Sequence, residues 1–160
     1  MLLIYGSTGY TGRLIVDEAV RRGMRPVLAA RSADAVRAQA EPLGLAWRAA
    51  PLDDAAALDR ALDGAAAVLH CAGPFSRTWR AMSDACLRRR AHYLDITGEI
   101  DVFELAHSVD EKAHRAKVVL CPGVGFDVVP TDSVVCCGAA AGSEAGTFVQ
   151  PEAGANVAIW

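Results

Sequence analysis

A doubly wound α/β fold, with helices on both faces of a mostly parallel sheet, is implied by the way this chain alternates. Short apolar runs are followed by longer stretches of helical period, the pattern of parallel strands joined by crossover helices. The first run, residues 1–5, is apolar on both faces, as a central parallel strand must be when helices cover both sides. Directly behind it stands I-Y-G-S-T-G-Y-T-G-R, with glycines three apart at the place where such a fold makes its first strand-to-helix turn.

The remaining elements follow in order. A helix over 11–22 puts Leu14, Ile15, Ala19 and Val20 on one stripe, and Gly23 ends it. Residues 26–30 form a second strand, followed by an Ala-rich helix over 33–40. A weak third strand covers 46–50, and a helix over 54–62 stops at Gly64. The fourth strand is 66–71, with a helix over 79–90 behind it. Residues 92–96 give the fifth strand, 101–115 one long helix, and 117–121 the sixth strand. These elements make one domain over 1–132. The stretch 133–160 is Ala/Gly-rich without clear periodicity and is expected to stand apart as an atypical tail.

The chain's 160 residues are 52% hydrophobic, ample for one buried core. Sixteen basic residues against nineteen acidic ones give a net charge of −3, which leaves no electrostatic footprint for nucleic acid. No run approaches the roughly 18 apolar residues of a membrane span, and no basic leader precedes the first strand, so the expected location is cytoplasmic. Cys71, Cys86, Cys121, Cys136 and Cys137 show no C-x-x-C spacing and read as reduced, buried thiols.

The glycine turn has a chemical use. Its tightness takes backbone angles that only Gly adopts cheaply, and bare positions at Gly6 and Gly9 let a diphosphate approach the amides of the helix N-terminus. Ser7 and Thr8 stand between the glycines as cofactor-binding candidates, Gly12 lets the helix pack closely on the strand, and a purely structural tight turn is the alternative. No G-K-[ST] follows, and Arg13 stands where the lysine of a mononucleotide P-loop would be.

Further candidates follow the later strands. The second strand ends in L-A-A-R-S, where NAD sites usually carry an acidic residue. Arg31 would instead grip a 2'-phosphate with paired, charge-assisted hydrogen bonds, and Ser32 adds a hydroxyl, so NADP is expected over NAD. A solvated surface arginine is the alternative. Asp53, after the third strand, could accept from an adenine amino group or cap the next helix. Behind the fourth strand, in H-C-A-G-P-F, Ala72 and Gly73 permit close approach, Pro74 stiffens the loop, and Phe75 can lie beside a planar ring. An ordinary strand-to-helix turn is the alternative there.

Taken in order, G-S-T-G-Y-T-G-R, A-A-R-S, C-A-G-P-F, Y-L-D-I-T-G-E and P-G-V-G-F-D-V-V-P-T-D resemble the saccharopine dehydrogenase-like oxidoreductases, including the trans-acting enoyl reductases of lipid and polyketide pathways. The likeness runs over 1–132. It implies an NADP-binding Rossmann domain whose cofactor contacts fall on Gly6, Gly9, Tyr10, Thr11, Gly12, Arg31, Ser32, Ala72, Gly73 and Phe75. In that family the segment like 123–132 leads into a separate substrate domain, and this chain is expected to stop short of it.

Other chemistries find little support. Tyr5, Tyr10 and Tyr93 are followed four residues on by Gly9, Leu14 and Thr97, so the Tyr-x-x-x-Lys pair of a short-chain reductase is missing. His107 and His114, seven apart on the expected long helix, share a face without a third ligand, and no metal is implied. Ser7, Ser76 and Ser83 lack a G-x-S-x-G setting. Tyr93, Asp95, Glu99 and Asp127 could orient a substrate or move a proton, or else serve as caps and turns. Two classes remain: the nucleotide-binding part of an NADP-dependent oxidoreductase acting on a C=N, C=O or C=C bond, or a dinucleotide-binding module without turnover. The expected partner is a small-molecule dinucleotide. Self-association as a homo-oligomer is expected through the apolar face where a second domain would pack.

Overall fold

The computed structural model describes residues 1–125, 128 and 129. Along them run β1 (Leu2–Tyr5), α1 (Tyr10–Arg21), β2 (Val27–Ala30), α2 (Ala33–Ala40), β3 (Trp47–Ala49) and α3 (Ala55–Ala61). Then come β4 (Ala67–His70), α4 (Phe75–Arg89), β5 (His92–Asp95), α5 (Ile100–Ser108), α6 (Asp110–Ala116) and β6 (Leu120–Cys121). The tail 133–160, Asp127, Cys136 and Cys137 lie outside the described residues.

All strand pairings are parallel, in the order β3-β2-β1-β4-β5-β6. After β3 the chain crosses the sheet to resume beside β1, so strand order reverses between β1 and β4. A crevice opens at the carboxyl ends of the strands at such a reversal. The strands alternate between two cores. Leu3, Val68, Trp79, Met82 and Tyr93 pack with α3 through α6 on one face, while Ile4, Val16, Leu28 and Val36 pack under α1 and α2 on the other. Leu69 and Leu94, which point away from the larger core, are half-buried.

Three expectations are corrected by the packing. The buried side of α1 is Gly12, Val16 and Ala19, with Leu14 53% and Val20 36% exposed. Gly12 sets that rotation, because a Cβ there would stand 2.2 Å from the Gly6 carbonyl oxygen and only hydrogen fits. Second, α4 starts at Phe75, four residues before Trp79, because its first amides find a cap that is distant in sequence. Third, the expected helix over 101–115 is two helices that break at Val109 (φ −113, ψ 13). The Ser108 hydroxyl donates to the Leu105 carbonyl at 2.7 Å, and Asp110 and Glu111 open a new first turn where acidic groups suit the helix dipole. His107 and His114 therefore sit on separate helices. Among the described residues no helix is long and apolar enough to cross a membrane.

Candidate functional site

At the β1/β4 reversal the backbones come close. Gly6 has φ +79, and a Cβ there would meet Ala72 Cβ and N at 2.9 Å, so only glycine lets the two loops touch. The Gly6 and Ser7 amides donate to the Ala29 carbonyl at 2.8 and 3.3 Å, and the Gly9 amide donates to the Gly6 carbonyl at 3.1 Å. The amides of Thr8, Tyr10, Thr11 and Gly12 have no acceptor among the described residues. Gly9 is the N-cap, with no side-chain cap and no acidic residue in the first turn of α1, so among the described residues nothing accepts from these N–H groups, an arrangement suited to an anion.

A cleft of about 520 Å³ opens beside this turn. It gathers Gly6, Thr8, Gly9, Arg31, Ser32, Asp53, Ala72 and Gly73, which come from four separate loops. Arg31 is exposed. Ser32 Oγ accepts the Ala35 amide at 3.4 Å as the N-cap of α2, which leaves its hydroxyl hydrogen free to donate. Asp53 is exposed on the cleft, and the cap of α3 is its neighbour Asp54, whose Oδ1 accepts the Ala57 amide at 2.9 Å. The two readings of Asp53 are thereby separated, since the capping position belongs to another residue.

The other expected residues fall at the edges. Ser7 is buried, with Oγ 3.5 Å from the Ala29 carbonyl. Tyr10 is 83% exposed, outside the cleft. Thr11 lines a second, mostly apolar hollow of about 470 Å³ with Ile15, Leu69, Ile96, Val124, Gly125 and Val128. Pro74 precedes α4 as its N-cap. Phe75 turns its ring inward, edge-on to His70 with centroids 5.5 Å apart.

The acidic candidates hold the loops together. Asp95 is fully buried and accepts from the Tyr93 hydroxyl at 2.6 Å and from the Thr97 and Gly123 amides at 2.9 Å. Burial pushes its carboxyl above the ordinary value against those donors, and burial with the adjacent Asp95 pushes the Tyr93 phenol up. Glu99 Oε1 accepts the Phe75 amide at 2.6 Å and Oε2 the Ser76 amide at 2.9 Å, which closes the N-terminus of α4. Tyr5 crosses the sheet end to donate to the Ala50 carbonyl at 2.7 Å, and burial lifts its phenol to about 12. Sequence reasoning missed Gln39, whose Nε2 donates to the Ser7 carbonyl at 2.9 Å. No motif marks it, because its partner is a backbone atom 32 residues away.

Comparison with known proteins agrees with this geometry. The family described as saccharopine dehydrogenase NADP binding domain matches residues 2–121. The chain is 28% identical over 151 residues to a saccharopine dehydrogenase-like oxidoreductase of Rattus norvegicus, covering 82% of this chain and 35% of the relative. It is 30% identical over 142 residues to a trans-acting enoyl reductase of Mycobacterium ulcerans, covering 82% and 33%. The chain thus spans about a third of the length of the curated relatives it matches. Among solved structures, apo saccharopine dehydrogenase (L-Glu forming) of Saccharomyces cerevisiae superposes with a TM-score of 0.72 at 17% identity, over 88% of this chain and 32% of that one. An NADPH-dependent quinone oxidoreductase of Escherichia coli, complexed with NADPH, gives 0.61 at 19% identity over 76% and 47%. At those identities the structural likeness shows the fold alone.

Proposed function

Because the chain belongs to the saccharopine dehydrogenase NADP-binding domain family, we propose that it is the dinucleotide-binding part of an NADP-dependent oxidoreductase. The reading is carried by one observation: the amides of Thr8, Tyr10, Thr11 and Gly12 have no acceptor among the described residues, and Thr8 lines the same cleft as Arg31. A diphosphate suits that donor set, since it brings charge and acceptors to a helix N-terminus that lacks both. Arg31 and Ser32 would hold the 2'-phosphate and Asp53 would accept from the adenine amino group. The small residues Gly9, Ala72 and Gly73 would leave room on the cleft for the sugar-phosphate chain. The hollow of Thr11, Ile15, Leu69 and Ile96, on the other side of the α1 N-terminus, would receive the nicotinamide end and exclude water from it.

When bound, the cofactor supplies a hydride, and the acceptor in this reading is a C=N, C=O or C=C bond. Tyr93 and Asp95 are turned into the core and spent on each other, so the acceptor is positioned by groups other than these. A cytoplasmic location fits Cys71 and Cys86, which form no disulfide among the described residues. Fluorescence titration of the chain with NADPH tests the binding step, with saturable one-to-one binding expected and absence of binding at millimolar cofactor overturning the reading. NADPH oxidation over a panel of imines, ketones and enoyl thioesters then sorts the acceptor class.

A further inference from the structure

We propose that Gln39 is a positioning residue for the diphosphate part of this site, with Arg13 as its counterpart; the inference rests on the dinucleotide reading above. Gln39, on α2, donates from Nε2 to the Ser7 carbonyl at 2.9 Å, and Arg13, on α1, donates from Nε to the Thr8 carbonyl at 2.9 Å. The Gly6 carbonyl is taken by the Gly9 amide. Every carbonyl between β1 and the start of α1, up to Thr8, is thus tied to the protein.

The consequence follows from peptide geometry. A peptide unit is planar, and its C=O and N–H point in opposite directions. With the Ser7 carbonyl fixed toward α2, the N–H of the same unit, that of Thr8, is turned the other way. Thr8 lines the cleft, and its amide is one of the four without an acceptor among the described residues. Rotating this one unit would present a carbonyl oxygen to the diphosphate in place of a donor. The unit turns about ψ of Ser7 and φ of Thr8, and among the described residues the Ser7 carbonyl accepts from Gln39 and from no backbone amide, so its hold comes from outside the turn.

Gln39's own surroundings point the same way. Its Oε1 is buried and has no partner among the described residues, while Ala33, Ala35, Ala38 and Ala40 fill much of the rest of the helix. A dry amide oxygen is unfavourable, and a position that needed only filling would be served by an apolar side chain. The bond to Ser7 is what glutamine adds there.

The test compares two ligands on the full 160-residue chain: NADP+, and adenosine 2'-monophosphate, which has the 2'-phosphate but no diphosphate. Gln39→Leu should weaken NADP+ roughly three- to tenfold and leave adenosine 2'-monophosphate unchanged. Equal losses for both ligands, or no loss for either, overturn the proposal. Gln39→Glu supplies a second readout that survives a folding defect in the first variant. A charged carboxylate cannot donate to the Ser7 carbonyl and a protonated one can, so its NADP+ affinity relative to wild type should recover as pH falls through the carboxylate range, from about 6 to about 4. A pH-independent ratio overturns the clamp. A wild-type chain that binds neither ligand refutes the dinucleotide reading instead, a result distinct from every outcome in which wild type binds and the variants behave alike.

Discussion

Glu99 caps the helix that begins at Phe75 from a different loop, the one that follows β5. Two loops of the site rim are joined by that one carboxylate. Hydrogen bonds from Ser76, and then from the Phe75 amide, hold the Glu99 carboxyl below its ordinary value. The bond is therefore present above the ordinary carboxylate range and is lost as pH falls through the folded value. Glu99→Ala should cost about 0.5–2 kcal/mol at pH 7, as loss of a cap does, with the gap from wild type closing in acid. Urea unfolding at pH 7 and pH 3.5 checks both halves of this expectation.

In the proposed reading Arg31, exposed on the cleft, discriminates between the two nicotinamide cofactors. A charge-assisted contact with the 2'-phosphate is worth roughly 1.5–3 kcal/mol, or on the order of ten- to a hundredfold in affinity. Arg31→Ala should lose that factor for NADPH and leave NADH nearly unchanged. Equal affinities for the two cofactors in wild type would remove the role.

The glycines of the turn should fail in different ways. Gly9 has φ −73 and its added Cβ would lie 3.3 Å from the Gly6 oxygen, so a side chain there is tolerated by the backbone but projects at the cleft. Gly9→Val should keep its circular dichroism and lose NADPH binding. Gly12→Ala, with its methyl 2.2 Å from the Gly6 oxygen, should lower stability by roughly 1–3 kcal/mol, the range for overpacking. A Gly9→Val chain that binds normally would reduce the motif to a structural turn.

His70 gives the fold an acid-sensitive element. It lies in the larger core with Nε2 3.0 Å from Thr78 Oγ1 and Nδ1 without a partner among the described residues, and burial pulls its pKa down to about 3. The unfolded chain takes up a proton near pH 6.5 and the folded chain does not, so stability is full above that point and falls as pH drops toward 3. The slope approaches about 1.4 kcal/mol per pH unit below the unfolded value. His70→Gln should be less stable at pH 7 yet lose less between pH 7 and 5, as thermal midpoints would show.

Much of this was legible because the signals are local. The glycine spacing, Arg31 at a strand end and the alternation of strand and helix each reside in a few consecutive residues. What escaped depends on contacts across the chain. The cap on Phe75 comes from Glu99, so the start of α4 carries no capping residue of its own to read. Hydrophobic period alone could not set the rotation of α1, which follows from the room that Gly12 leaves to the Gly6 oxygen. The break at Val109 follows from competition by Ser108 for its own helix's carbonyl, which propensity does not distinguish from a continuous run. The Phe75 ring, expected beside a planar ring, stands edge-on to His70, a contact that no local motif marks.

Gly6 and Ala72 meet where two stretches of the chain, far apart in sequence, are zipped together by the β1–β4 ladder and the packing beneath it. A molecule lying over that contact touches both stretches at once and bridges the joint. Its binding free energy is then added to the work of parting β1 from β4. Amide hydrogens on Leu3, Ile4, Val68 and Leu69 should consequently exchange more slowly in saturating NADP+, by more than those on α5 and α6, and a uniform slowing would mean the ligand grips one side alone.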